Sequence, residues 1–206
     1  MTSRVAPKGP RTSSDSAELV IRQEADGDHG DVREVHALAF GDSERVPGLV
    51  EALRVANAAL APMSFVATLD DRVVGHVMLS AARLDAPPRI VDVLSLSPLG
   101  VLPAFQHQGI GTQLIQHALA AADSQGVPLV FLEGSPRYYG KRGFQAAEAA
   151  GFRAPSLRYP DGAFQVVQLS AHEPWMTGTF VYSETFWALD CVGLRGERLR
   201  AARGEA

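Results

Sequence analysis

Residues 101–119 read VLPAFQHQGIGTQLIQHAL, and they raise the question of why two glycines stand where a helix begins. Ile110, Leu114, Ile115, Ala118, Leu119 and Ala122 recur at helical spacing, which predicts a helix that ends near Gly126. Glycine in a first turn weakens a helix, so Gly109 and Gly111 need another reason to be there. Two reasons are open. Bare backbone lets phosphate oxygens come close to the unpaired amides at the positive end of the helix. Alternatively, the glycines only permit a tight turn and close packing.

Outward from this stretch, the hydrophobic period changes several times. On the N-terminal side, ELVIRQEA reads as a short strand. Val32, Val35, His36, Ala39 and Phe40 predict a helix capped by Asp28 or Asp31 and closed by Gly41. VPGLVEALRVANAA predicts a second helix, with Leu49, Leu53 and Ala56 on one face. SFVATLDDRVVGHVMLSAARL reads as two strands around a tight Asp70-Asp71 turn. IVDVLSLSPLGVLP is a further strand in which Pro98 and Gly100 predict a bulge or a strand edge, because proline cannot donate to a ladder. On the C-terminal side, VPLVFLE is a buried strand. SPRYYGKRGF is a short helix with Ser135 and Pro136 at its start and Gly143 at its end. AFQVVQLS and GTFVYSETF complete the set as strands or extended segments. Alternation of strands and helices between antiparallel pieces predicts an α/β fold with a mixed sheet.

Three phosphate motifs compete for the two glycines. A P-loop requires a lysine after its last glycine, and none follows Gly111. A dinucleotide fingerprint requires a third glycine where this chain has Leu114, although Glu133 at the end of the next strand sits where its ribose-binding acid belongs. The run LPAFQHQ also separates Val101 from Gly109, whereas that fingerprint turns at once. The third option is Q/R-x-x-G-x-G/A, which Gln106, Gly109 and Gly111 match.

With that match the chain resembles the GNAT superfamily of acyl-CoA-dependent N-acyltransferases. LGVLPAFQHQGIG resembles the family's pyrophosphate-binding motif with its preceding strand. VPLVFLEG resembles the next sheet strand, and DRVVGHVML the antiparallel third strand. YYGKRGF resembles the helix that carries a frequent catalytic tyrosine, four residues before Gly-Phe. The resemblance runs from Glu18 to Ser170, and GTFVYSETFWAL is similar to the end of a bacterial subgroup whose substrates are mostly unassigned. It implies a mixed, mostly antiparallel sheet with a splayed parallel pair and helices on both faces. It implies acetyl-CoA as cosubstrate, with CoA as product, and a small-molecule amine or a peptide N-terminus as acceptor.

Amine acylation by a thioester needs an amine freed of its proton, a held oxyanion and a protonated leaving thiolate. By resemblance, backbone groups of Leu99 and Val101 around Gly100 bind the thioester and pantetheine in the gap between the splayed strands. Gln106, His107, Gln108, Gly109, Ile110, Gly111 and Thr112 form the anion cradle, with both the amide and the hydroxyl of Thr112 in reach of the anion. Tyr139 stands where the family has its acid, and Tyr138 beside it reads as structural. Glu133 is the candidate base, with Asp92 and His76 as rivals on neighbouring strands. Asp42, Glu44 and Glu51 offer carboxylates to a cationic acceptor or form a solvated face. Trp175 and Trp187 either pack or line the acceptor cleft. Two other classes stay beside the enzyme: an acyl-CoA-binding module without turnover, and a nicotinamide oxidoreductase that uses Glu133 on a ribose.

Composition sets the outer bounds. The chain has 206 residues, 46% apolar and 20% charged, as expected of a soluble domain with its own core. A net charge of -4 argues against a nucleic-acid-coating protein. No apolar run approaches a membrane span. The single Cys191 leaves no intrachain disulfide, which fits a cytoplasmic setting, and no Cys/His spacing suggests a metal. Residues 1–17 are expected to be a flexible tail, 18–195 one domain, and 196–206 a polar tail or short helix. The strand GTFVYSETF is a candidate edge for pairing in a homodimer.

Overall fold

The computed structural model describes residues 18–204, so the expected tail at 1–17 lies outside the described residues. The chain opens with β1 (Leu19–Gln23), then α1 (His29–Phe40) and α2 (Arg45–Arg54). Val32, Val35 and His36 are the buried stripe of α1, and Gly41 closes it with φ +62°. Asp28 does not cap α1 with its side chain; its carboxylate takes the Ala25 amide at 2.8 Å and the Arg22 guanidinium at 2.6 and 2.8 Å. β2 (Met63–Leu69) and β3 (Arg72–Asp85) form a hairpin whose Asp70 and Asp71 have φ of +48° and +65°, the left-handed pair that a two-residue turn between right-twisted strands demands. β4 (Ile90–Val101), α3 (Ile110–Ser124), β5 (Leu129–Glu133) and α4 (Pro136–Tyr139) follow. β6 (Gln145–Ala146), β7 (Phe152–Arg153), β8 (Phe164–Gln168), β9 (Gly178–Tyr182), α5 (Glu184–Ala188) and α6 (Gly196–Arg203) complete the chain.

The strands form one mixed sheet in the order β1-β2-β3-β4-β5-β8-β6, with β9 paired to β3 and to β7. All pairs are antiparallel except β4 with β5 and β7 with β9. Successive strand residues face opposite sides. A Cβ on Gly75 would meet Leu114 and Ile110 of α3, whereas one on Gly100, opposite His76, would meet His36 and Val35 of α1. α3 and α1 therefore cover opposite faces. Phe131 on β5 packs against Phe152, Phe164 and Phe180, with ring centroids 5.1, 5.5 and 4.6 Å away, and so ties the C-terminal strands to the centre of the sheet.

Two expectations for the C-terminal part change. β9 is not a free edge along its whole length, because β3 pairs Thr179 to Tyr182 on one side and β7 pairs Gly178 and Thr179 on the other. GTFVYSETF is also not extended throughout: after Tyr182 the chain turns at Ser183 into α5, with Phe186 buried. The polar end forms a helix, α6, and no helix among the described residues is long and apolar enough to cross a membrane.

A chain of polar side chains runs through the core on the α1 face. The Ser64 hydroxyl donates to the Glu24 carboxylate, which also receives the Arg54 guanidinium. Ser64 Oγ must then accept from His76 Nε2 at 2.7 Å, and His76 Nδ1 from His36 Nε2 at 2.7 Å. That leaves His36 Nδ1 as a buried lone pair with no partner, facing Gly100. Burial pushes His36 well below the ordinary histidine range and lowers His76 against the opposing pull of Glu24. Burial works to raise Glu24, but donors on His76, Arg54 and Ser64 outweigh it and hold the carboxyl at about 2.

The native state therefore binds fewer protons than the unfolded chain, first below the unfolded histidine value and then below the unfolded carboxyl value. The histidine contribution to stability is complete above pH ~6.5 and is lost as pH falls below it; the Glu24 contribution is lost as pH falls from ~4.5 towards 2. Unfolding midpoints recorded from pH 8 to pH 3 should be level above ~7, decline below ~6.5 and decline more steeply below ~4.5. A midpoint that is level down to pH 5 would contradict a neutral buried histidine pair.

Candidate active site

β4 and β5 pair as parallel neighbours over only two positions, Leu94 with Val130 and Ser95 with Phe131. Past Ser95 the two strands part. Opposite this point, Ser97 and Pro98 face the single residue Met78 of β3, which is the bulge that the proline predicted. β4 then resumes its pairing with β3 through Leu99, Gly100 and Val101. The Leu102 amide donates to Val74 of β3 at 2.9 Å. Backbone groups alternate in direction along a strand, so those of Leu99 and Val101 point away from β3, into the opening. Gln106 Nε2 already donates to the Val101 carbonyl at 3.0 Å, which ties the following turn to the strand end.

The N-terminus of α3 opens on the same space. Gly109 is its N-cap with φ +86°, a conformation that an L side chain rarely adopts, and His107 just before it is also left-handed at φ +63°. A Cβ on Gly109 would meet nothing, so its requirement is conformational. Gly111 differs: a Cβ there would run into the Tyr138 hydroxyl. Thr112 is more engaged than its sequence position implies. Its amide donates to the Gly109 carbonyl at 3.0 Å, and its hydroxyl accepts from Arg142 Nε and Nη2 at 3.0 and 2.7 Å. The helix-start donors without a partner inside the helix are thus the amides of Ile110 and Gly111.

A cavity of about 640 Å³ gathers these groups. Leu99, Gly100, Val101, Gln106, His107, Gly109, Ile110, Gly111 and Thr112 line it. Gln108 does not: its side-chain amide folds back onto the Ala104 carbonyl at 3.3 Å. The opposite wall is the segment from α4 to Gly143. It contributes Arg137, Tyr138, Tyr139, Lys141 and Arg142, so the cavity holds three permanent cations and no carboxylate. Arg142 lies over the Tyr138 ring at 3.5 Å from its centroid while reaching Thr112. Tyr138 is therefore part of the cavity wall. Sequence reading passed over the three cations; SPRYYGKRGF shows them, but nothing local says that this turn faces the start of α3.

A second cavity, about 570 Å³, lies across the opening and shares Phe40, Leu99 and Tyr139 with the first. Tyr139 fits against Gly134, where a Cβ would collide with its ring. Burial pushes the Tyr139 hydroxyl well above the ordinary phenol range; Tyr138 adds to that shift and Arg142 opposes it. Glu133 lines the second cavity and a neighbouring one of about 480 Å³, but not the first. Burial pushes its carboxyl up, while the Gly193 amide at 3.0 Å and the charge of Arg158 pull it down. Its rivals are elsewhere: His76 is enclosed in the core chain, and Asp92 is exposed, 3.9 Å from Arg83. Glu51 is paired to Arg33 at 2.6 Å and Glu44 faces the same arginine at 3.7 Å, so these carboxylates belong to a solvated face. Trp175 carries the Arg89 guanidinium at 5.0 Å, and neither it nor Trp187 lines either cavity.

Comparison with known proteins agrees with this geometry. The family model described as the acetyltransferase (GNAT) family matches residues 28–144. The uncharacterized N-acetyltransferase YjhQ of Escherichia coli (strain K12) is 32% identical over 133 residues, 62% of this chain and 71% of that protein. The crystal structure of the GNAT N-acetyltransferase YhbS of Escherichia coli in complex with CoA superposes with a TM-score of 0.75 at 25% identity, over 85% of this chain and 96% of that one. A GNAT acetyltransferase of Brucella melitensis in complex with acetyl-CoA has a TM-score of 0.65 at 29% identity, over 82% and 99% of the two chains. A parallel strand pair that splays beside a glycine-rich helix start, on a framework that follows these relatives over most of their length, makes this chain a member of the GNAT acetyltransferase family.

Proposed function

We propose that the protein transfers the acetyl group of acetyl-CoA to a primary amine by direct attack within one ternary complex. The observation that carries this reading is the meeting of the two cavities at Leu99 and Tyr139. One cavity suits a polyanion: cations without carboxylates, two free helix-start amides and a position at Gly111 without a Cβ. The other has a half-buried carboxylate, which suits an incoming ammonium group.

Acetyl-CoA supplies a thioester, an acyl group activated for attack by an amine. The amides of Ile110 and Gly111, with Arg142 and Lys141, hold the pyrophosphate; backbone groups of Leu99 and Val101 hold the pantetheine arm in the opening that β5 leaves unpaired. The Leu99 amide donates to the carbonyl oxygen as negative charge develops there. Glu133 takes the proton that the ammonium must lose, and the upward shift of its carboxyl moves it towards the pH at which a base works best. As the carbon–nitrogen bond forms and the carbon–sulfur bond breaks, the Tyr139 hydroxyl gives its proton to the departing sulfur. The second proton shed by the attacking nitrogen restores Tyr139, so CoA leaves as the thiol and the net proton is the one on Glu133. Burial penalises a thiolate as it does a phenolate, so donor and acceptor stay matched although Tyr139 is shifted upward.

Thermal unfolding with CoA, acetyl-CoA and NADH, one at a time, tests the reading. CoA and acetyl-CoA should raise the midpoint by mass action and NADH should not. A shift with NADH alone would make Glu133 a ribose ligand and overturn the transferase. A shift with CoA and no CoA release with any amine would leave an acyl-CoA-binding module. Gly111→Val puts branched carbon where Tyr138 and the pyrophosphate both need space, and should raise the CoA dissociation constant well over ~10-fold with the fold retained. Tyr139→Phe should lower kcat by about 10²-fold with CoA affinity held, measured as CoA release under saturating acetyl-CoA; unchanged turnover would remove Tyr139 as the acid.

A further inference from the structure

The second cavity says more about its occupant than that it is an amine. We infer that the acceptor is a primary amine carrying an anionic group, a carboxylate or a phosphate, at its far end. This rests on the acetyl-transfer reading. Glu133, the half-buried carboxylate beside Tyr139, marks the inner end where the amine must arrive. The outer end is cationic. Arg45 of α2 and Arg198 of α6 are both exposed there, and both also line a smaller adjoining cavity of about 420 Å³, so the two residues front one shared space.

The remaining outer charges are mostly spoken for. Asp190 is held by Arg195 at 2.7 Å and by Arg158 at 3.0 Å. Asp42 accepts the amides of Glu44 and Arg45 at 3.0 and 2.9 Å, and its other oxygen is 3.5 Å from Arg45 Nε. Arg198 makes no ion pair or hydrogen bond among the described residues, although its charge, with that of Arg45, helps to lower the carboxyl of Asp42 in the smaller cavity. Glu197, next to it on α6, lines the larger cavity but not the smaller one. Among the residues that line this end, three guanidinium groups (Arg45, Arg195, Arg198) meet three carboxylates (Asp42, Asp190, Glu197), and with Asp190 held by Arg195 and Asp42 by Arg45, Arg198 is the guanidinium that no carboxylate contacts. A single anion on the acceptor can take Arg198, as the single ammonium takes Glu133. Val46, Leu49 and Leu96 give the wall an apolar stretch that suits a hydrocarbon spacer between the two charges.

The test is a series that varies only the far end: 4-aminobutyrate, 3-aminopropylphosphonate, butylamine and 1,4-diaminobutane, each read as CoA release and as heat on titration into the CoA-loaded protein. The anionic members should exceed butylamine by about tenfold or more in kcat/KM, mainly through KM, as a charge-assisted contact requires. The carboxylate and phosphonate arms separate the two anion types. In Arg198→Gln and Arg45→Gln the ratio of 4-aminobutyrate to butylamine should fall towards one, and Arg198→Lys should recover part of it. If butylamine or 1,4-diaminobutane equals or exceeds both anionic amines, or if none of the four is acetylated or bound, the inference fails. A midpoint shift with CoA on the same preparation keeps that failure distinct from failure of the acetyl-transfer reading, which predicts the shift whatever the acceptor.

Discussion

The backbone edge left open between β4 and β5 is the constraint on which the site depends. A strand in mid-sheet ordinarily spends its amides and carbonyls on both neighbours, and buried groups left without partners cost free energy. Here the parallel pairing stops after two positions, and the groups of Leu99 and Val101 turn towards a gap. The gap is held from several directions. On its far side β5 is fully paired to β8, and its Phe131 is locked among three other aromatic rings. On the near side β3 keeps β4 in place on both flanks of the Ser97–Pro98 bulge, where one partner is a proline that has no N–H to give. The strands therefore cannot close on each other without giving up pairing elsewhere, and an extended ligand can supply the missing partners.

Charge is distributed against the average of the chain. The protein carries a net charge of -4, yet the cavity at the start of α3 is lined by three cations and no acid. The helix dipole adds to the same sign. Arg142 links the two walls of that cavity, through Thr112 on α3 and the ring of Tyr138 on α4. Negative charge is kept on the other side of Tyr139, at Glu133, where burial moves the carboxyl towards the range of a base. One tyrosine thus stands between a cavity lined by cations and a cavity that holds a carboxylate, and burial strengthens the hold of its hydroxyl on its proton.

Gly100 shows how the framework and the site share residues. Any side chain there would strike His36, the last member of the chain that begins at Glu24 and Arg54. The chain has one direction, because Glu24 can only accept, and so each histidine is placed in one tautomer. It anchors α1 to β3 directly beneath the strand segment that bears Leu99 and Val101. Phe40, at the end of the same helix, lines both cavities, so the packing of α1 also shapes the space where they meet.

Much of this was legible in the sequence because it is local. The alternation in IVDVLSLSPLGV, the proline that forces a bulge, the left-handed pair Asp70-Asp71, and the glycines at 41, 109 and 143 each state their own backbone requirement. The order of strands and helices, and the helix start facing the strand end, follow from such signals. What sequence could not supply were meetings between distant segments. Arg142 and Thr112 are 30 residues apart, and Glu133 and Gly193 are 60 apart. Gly111 reads in sequence as a phosphate-approach or turn glycine and Gly134 carries no signal of its own, but their lack of a Cβ is required by Tyr138 and Tyr139 respectively. His76 resembled a candidate base until burial beside His36 and Ser64 enclosed it. The sequence by itself determined which backbone shapes occur and in what order, because those depend on neighbours along the chain. Which side chains share a cavity, which are enclosed and which charges remain unbalanced were decided only by the tertiary structure, because burial and Coulomb interactions depend on distance in space.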